Sequence, residues 1–305
     1  MNDTVIRVID FRKVYGDFVA VNGISFEVHR GEIFGLLGPN GAGKTSTLES
    51  LEGLRIPDGG SLRIMDIDPA YQSRKLHNLI GVQLQTSGLP DSITLDEAMK
   101  FFCSYHAVLP RYDLLDRFGL KEKRREQYYQ LSAGQQRRLG LALAVAHKPS
   151  VVFLDEPTAG LDVASRIELH NLMRELQSSG TTIILATHDM AEANEMANRL
   201  AILLRGKIAT TGTPLELTAT GAGFTKVSVR TKGDSLSDPE LKFPAVSKRI
   251  SKEEYVIYYS TDIGPTVSAI ITHIKTREDL LVDLRVERPS LEDRFLEITT
   301  TGGIQ

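Results

Sequence analysis

The sequence predicts an α/β protein in which a mainly parallel sheet carries an inserted helical subdomain and is followed by a small α+β domain. Three observations point there. An apolar strand candidate over 33–37 runs into a glycine-rich turn and then a helical stretch over 47–51. A second apolar strand, 151–154, alternates with a helix candidate over about 164–178 and a strand over 182–186, the pattern of a sheet whose faces are covered by crossover helices. Near Gly212-Thr213-Pro214 the pattern changes, and a Gly/Thr-rich link joins a small α+β appendix of about 85 residues. The 305 residues suit about two domains, and the apolar share of 41% is enough for ordinary cores. The expected division is 1–215 and 216–305, with the helical subdomain at about 86–148.

Residues 5–11 and 24–29 cluster β-branched residues as short antiparallel strands. The stretch 94–109 reads as a helix. Thr94-Leu95-Asp96-Glu97 is a capping-box pattern, and Leu95, Ala98, Met99, Phe102 and Tyr105 or His106 recur at three- and four-residue spacing. A further helix is expected over about 132–146, closed off by Pro149. In the second domain, 226–230, 255–259 and 281–286 read as strands, 263–276 as a helix and 290–298 as a short closing helix.

The formal charge of −3 gives no broad attraction to nucleic acid or anionic lipid. The one dense basic run, Lys121-Glu122-Lys123-Arg124-Arg125-Glu126, is broken by two acids and reads as a solvated face. Cys103 is the only cysteine, so no intramolecular disulfide can form, and its apolar helical setting suggests a buried thiol in a reducing compartment. Met1-Asn2-Asp3-Thr4 lacks the layout of a secretory signal. No apolar run reaches the 18 or so residues needed to cross a bilayer, so a protein soluble on its own is expected.

The chemistry begins at Gly38-Pro39-Asn40-Gly41-Ala42-Gly43-Lys44-Thr45-Ser46, which fits the phosphate-binding loop G-x-x-x-x-G-K-[ST] between a strand and a helix. Its glycines let backbone N–H groups wrap anionic oxygens, and the helix N-terminus adds its positive end. Lys44 is then placed to reach the β- and γ-phosphates, with the Thr45 hydroxyl on Mg²⁺. The strand at 151–154 ends in Asp155-Glu156. In a phosphate-loop fold the first acid holds the metal and the next can act as general base on the attacking water, so Asp155 and Glu156 take those roles.

Leu131-Ser132-Ala133-Gly134-Gln135 resembles the LSGGQ signature of ATP-binding cassette (ABC) ATPases, and other motifs follow in that family's order. Gln85, closing Ile80-Gly81-Val82-Gln83-Leu84-Gln85, is similar to the Q-loop. Ala159-Gly160-Leu161-Asp162 resembles the D-loop, Thr187-His188 the switch histidine, and Tyr15 the aromatic that stacks on adenine. The resemblance covers residues 5 to about 215. It implies a P-loop ABC-type nucleotide-binding domain that hydrolyses ATP with Mg²⁺. Ser132, Ala133, Gly134 and Gln135 would face the nucleotide of a second copy, and His188 would bond the γ-phosphate, supported by Asp162 across the dimer. Gln85 would touch both Mg²⁺ and the helical subdomain. Ser132-x-x-Gln135 is also a capping box in its own right. Alanine at 133, where the family usually has glycine, narrows the approach of a partner's phosphate or strains the backbone if φ is positive. Activity is expected to survive it.

Arg288-Pro289-Ser290-Leu291-Glu292-Asp293-Arg294-Phe295-Leu296 resembles the "PSLEDVFL" segment of ABC exporter ATPases of the drug-resistance and Nod-factor type. The runs Leu51 to Gly60 and Asp162-Val163-Ala164-Ser165-Arg166 look like the same branch. The resemblance therefore implies the ATPase subunit of an exporter, a homodimer sandwiching two Mg·ATP. It would sit on the cytoplasmic face of the membrane through a separate polytopic permease, without nucleic-acid partners. The alternative, a soluble ATPase of the same family acting on nucleic acid or ribosomes, is disfavoured by the acidic balance and by the short span between Lys44 and Asp155, which leaves no room for a long coiled coil.

Overall fold

A computed structural model of the chain describes residues 4–84, 88–219, 224–287 and 290–300. The chain divides into two compact units, Met1–Pro214 and Leu215–Gln305.

The first unit opens with a hairpin of β1 (Thr4–Tyr15) and β2 (Phe18–His29), in which Tyr15 is the partner of Phe18 across the turn. Then come β3 (Ile33–Leu37), α1 (Lys44–Leu51) and β4 (Gly59–Ile64), which pairs antiparallel with β1 to make a three-stranded sheet in the order β2-β1-β4. The short α2 (Ser73–His77) leads into β5 (Ile80–Gln83). The helical insertion follows as α3 (Leu95–Tyr105), α4 (Tyr112–Arg117) and α5 (Ala133–Ala144). The rest of the unit is β6 (Val151–Asp155), α6 (Val163–Ser178), β7 (Thr182–Thr187), α7 (Met190–Met196), β8 (Arg199–Leu204) and β9 (Lys207–Gly212).

The central sheet has the order β5-β6-β7-β3-β8-β9, parallel from β5 to β8 with β9 antiparallel at the edge. Its parallel strands are largely buried on both faces because both faces are covered, whereas β9 is partly exposed. Along β6, Val151 and Phe153 join the core shared with β1, β2 and α1, whereas Val152 and Leu154 join the core shared with the helical insertion and α6. Successive strand residues point to opposite faces, so one strand serves two cores. Strands β6, β7 and β3 are neighbours, and their C-terminal ends carry the acids, the histidine and the glycine loop to one edge, where ligands of open α/β sheets bind.

Helix α3 begins with the expected capping box, Thr94 with Glu97, but ends at Tyr105 rather than 109. Ala107 takes φ 53°, the Val108 N–H bonds the Cys103 carbonyl and the Ala107 N–H bonds that of Ser104. That is a Schellman stop, built on alanine where glycine is usual. Cys103 is fully buried, its Sγ 3.6 Å from Met99 Sδ. The basic run at 121–126 forms a short 3₁₀ turn and a following bend in which Lys123 pairs with Glu126 and Arg124 with Asp96.

After α8 (Pro214–Ala219), the second unit has β10 (Thr225–Thr231), β11 (Val246–Lys252), β12 (Tyr255–Ser260), α9 (Ile263–Thr276), β13 (Leu281–Glu287) and α10 (Leu291–Thr300). Its sheet is antiparallel, in the order β11-β12-β10-β13. Val227, Val229 and Tyr258 pack with Ile270 and Ile274 of α9. Ser290 caps α10, accepting from the Asp293 N–H at 3.1 Å. Residues 288 and 289 of the expected exporter-type segment lie outside the described residues, as does the side chain of Leu296.

Candidate active site

The turn between β3 and α1 is set by close approaches that only glycine allows. Gly43 has φ 104°, and a Cβ there would lie 2.6 Å from the Ala20 carbonyl oxygen; one on Gly38 would collide with the Leu203 carbonyl. The hairpin β1–β2 and strand β8 thus hold the loop from either side. Lys44, only 5% exposed, donates to the Gly38 carbonyl at 2.7 Å and the Pro39 carbonyl at 3.2 Å. Burial lowers its pKa, and the charges of Glu156 and Asp155 oppose that. A cavity of about 330 Å³ opens here, lined by Tyr15, Phe18 and Ala20 of the hairpin, by Asn40, Gly41 and Gly43 to Ser46 of the loop, and by Glu156.

Asp155 ends β6, 7% exposed. Its Oδ2 accepts from Thr45 Oγ1 at 3.1 Å, and its Oδ1 is buried without a partner. Burial raises its pKa, while the Thr45 hydroxyl pulls the other way. A hydroxyl beside a carboxylate with a free, buried oxygen suits a small hard cation that keeps water and phosphate as its other ligands, as Mg²⁺ does. Among the described residues no group of three His, Cys, Asp or Glu could hold a metal alone.

Glu156 follows with φ 47°, a left-handed conformation uncommon for a side chain of this size. Its N–H donates to the Ala186 carbonyl at 2.9 Å, which pins the turn to β7. The carboxylate lies between two basic groups: Lys44 Nζ is 3.7 Å from Oε1 and His188 Nδ1 is 2.7 Å from Oε2. A γ-phosphate entering this space would offer both groups a stronger anion.

The signature segment stands apart. Ser132 caps α5, its side chain accepting from the Gln135 N–H at 3.2 Å while Gln135 accepts from the Ser132 N–H at 2.9 Å. Ala133 is the first residue of α5 and has no positive φ, so it is unstrained, and its exposed methyl simply stands at the helix end. Gly134 is needed for packing: a Cβ there would be 2.5 Å from Ser165 Oγ and 2.8 Å from its Cβ. Asp162 caps α6 and accepts from Ser165 N at 3.0 Å and from Ser165 Oγ at 2.8 Å. Ser165 therefore joins the Gly134 and Asp162 segments within one chain. His188 and Asp162 share no hydrogen bond or ion pair here; His188 is held by Glu156 instead. Gln85 lies outside the described residues. Tyr15 is at the cavity rim, its hydroxyl 3.4 Å from Ser46 Oγ.

Several site-shaping residues escaped the sequence reading. Glu192 of α7, 2% exposed, accepts from Thr158 Oγ1 at 2.7 Å, and His170 Nε2 lies 3.4 Å from the same oxygen. It ties the turn after Glu156 to the helix after His188. Glu52, at the end of α1 and 3% exposed, is pushed up to about 8 by burial, with Asp155 and Glu49 adding to it. Phe18 is the third. Glu192 and Glu52 meet Thr158, His170 and Asp155 from distant parts of the chain, and no local pattern marks them or the exposure of Phe18.

Residues 21–159 match the ABC transporter family. The chain is 32% identical over 307 residues to the daunorubicin resistance ATP-binding protein DrrA3 of Streptomyces coeruleorubidus, covering 98% of this chain and 97% of that one. It is 34% identical over 306 residues to the Nod factor export ATP-binding protein I of Ralstonia nicotianae, covering 97% and 94%. Among solved structures, an ATP-binding subunit of an ABC transporter superposes with a TM-score of 0.65 at 26% identity, over 70% of this chain and 91% of that one. The protein cbiO1 of Clostridium perfringens, part of the ABC transporter complex cbiONQ, superposes with a TM-score of 0.64 at 29% identity, over 72% and 92%.

Proposed function

The chain belongs to the ABC transporter family, as an ATP-hydrolysing subunit of the exporter branch, and from that premise we propose that two copies close head to tail around two Mg·ATP and drive a separate membrane permease. The observation that carries the catalytic part is the Glu156 carboxylate held between Lys44 and His188 at the mouth of the phosphate loop. Lys44 leaves the Gly38 and Pro39 carbonyls for the β- and γ-phosphates, and His188 turns to the γ-phosphate. Glu156, released from both, takes a proton from the attacking water. Thr45 and Asp155, with Gln85, would hold Mg²⁺, which would offset the negative charge of the phosphates. Tyr15 stacks on adenine.

Ser132, Ala133, Gly134 and Gln135 present the start of α5 to the nucleotide of the second copy, with Asp162 beside it. Such a dimer is isologous, each loop meeting the other copy's signature. ATP closes it by binding the closed state more tightly than the open one. Hydrolysis removes the γ-phosphate contacts and lets the copies part.

Among the described residues no helix is long and apolar enough to cross a membrane. In the proposed assembly the permease crosses the membrane and holds this subunit at the cytoplasmic face. The helical subdomain offers a docking surface. Phe101 and Tyr105, one turn apart on α3, are 64% and 66% exposed, and Leu109 in the segment after the helix is 85% exposed, apolar side chains of the kind that mark interaction sites. Tagged Glu156→Gln protein, purified with ATP from gently solubilised native membranes, should bring a stoichiometric polytopic membrane protein, and Phe101→Glu with Tyr105→Glu should release it. Recovery of ribosomes, nucleic acid or soluble partners alone would overturn the transporter reading and leave the ATPase chemistry intact.

A further inference from the structure

The hairpin beside the phosphate loop carries two aromatic residues in unlike states. Tyr15 and Phe18 are register partners across the turn at Gly16 and Asp17, and residues opposite each other in an antiparallel pair put their side chains on one face of the ribbon. Both line the cavity with the loop. The hairpin is fixed there by the approach of Ala20 to Gly43 and by the bond from Asn22 N–H to the Gly206 carbonyl at 2.7 Å.

The Tyr15 ring is already engaged. Lys13 Nζ lies 5.3 Å from its centroid, Arg55 Cζ 5.8 Å, and its hydroxyl meets Ser46. Phe18 is 61% exposed and has no aromatic or cationic partner among the described residues. What sets this exposed ring apart is its place: it lines the same cavity as the phosphate loop and Glu156. It offers a flat apolar surface at the height of the hairpin, where a base would extend from phosphates seated on the loop.

We propose that Phe18 is a nucleotide-binding residue that contacts the purine base, making the base site a pair of aromatics, Tyr15 and Phe18. This rests on the reading that the triphosphate occupies the 38–46 loop. An aromatic of this kind adds affinity for a base without touching the phosphates.

The test compares Mg·ATP with inorganic tripolyphosphate, titrated calorimetrically against the full chain and against Phe18→Ala, Phe18→Tyr and Lys44→Ala. Phe18→Ala should weaken ATP roughly fivefold or more and leave tripolyphosphate unchanged, while Phe18→Tyr restores ATP affinity. Unchanged ATP affinity in Phe18→Ala, or equal weakening of both ligands, overturns the proposal. Lys44→Ala should weaken both ligands; if it weakens neither, the loop reading itself fails, a result separable from any effect of Phe18. Being exposed, residue 18 can change without loss of the fold, and the melting temperature of each variant verifies that.

Discussion

The two halves of the proposed catalytic site differ in what surrounds them. The half made by the loop and the two acids is buried at its charged side chains: Lys44, Asp155 and Glu156 are 5%, 7% and 7% exposed, and Glu156 already pairs with Lys44 and with the half-exposed His188. The half made by the starts of α5 and α6 is exposed at Ser132, Ala133 and Asp162, and its polar groups are satisfied by their own capping bonds. The first half holds a buried lysine beside two buried carboxylates, where an entering phosphate could displace Glu156 from Lys44 and His188. The second offers a helix N-terminus to solvent, a place that favours an anion and, in this account, receives it only from another copy.

Substitutions that break this contrast should scale with enclosure. Glu156→Gln removes the proposed base in the buried half and should lower kcat for ATP about 10²–10⁴-fold while nucleotide binding persists; steady-state turnover beside a binding titration reads both. Gly134→Ala pushes a methyl into Ser165 at the junction of the exposed segments, and overpacking of that kind costs about 1–3 kcal/mol. Its melting temperature should fall by several degrees, and Ser165→Gly placed on that background should recover part of the loss.

Glu52 sharpens the picture of the enclosed half. Folding raises its pKa from 4.5 to about 8, so between those values the folded chain keeps a proton that the unfolded chain has released. Stability then falls as pH rises from 4.5 toward 8, by up to about 1.4 kcal/mol per pH unit, and levels off above. Glu52→Gln removes that dependence. In urea titrations at acid and alkaline pH, the variant should gain on the parent as pH rises; a constant difference would contradict it. The smallest effect belongs to Ala133→Gly. With Ala133 already helical and free of positive φ, there is no strain to relieve, and ATP turnover should change less than about twofold. A several-fold rise would show that the methyl restrains the site.

Features written in short-range chemistry were legible from the chain alone. The glycine loop, the capping boxes at Thr94 and Ser132, strand β3 and helix α9 need only their own residues. What escaped depends on contacts elsewhere. Strands β1 and β2 each run to 12 residues, but bulges and the polar stretch around Arg12 and Lys13 interrupt their alternation. Strand β9 is partly exposed along nearly its whole length and so carries no apolar pattern. The early stop of α3 turns on an alanine in the place of the usual glycine. In the site, the loop, acids and histidine were marked by type and spacing, whereas Glu192 reaches Thr158 across 34 residues of sequence. The exposure of Phe18 is a property of the folded hairpin.

The most direct test of the account is the mass of Glu156→Gln protein in solution with and without Mg·ATP, measured by light scattering. The protein should be a 33.7 kDa monomer without nucleotide and a dimer of twice that mass at saturating ATP, lost again when Ser132→Ala and Gly134→Ala are added. A protein that stays monomeric at saturating ATP would contradict the claim that the exposed half completes the site of a second copy.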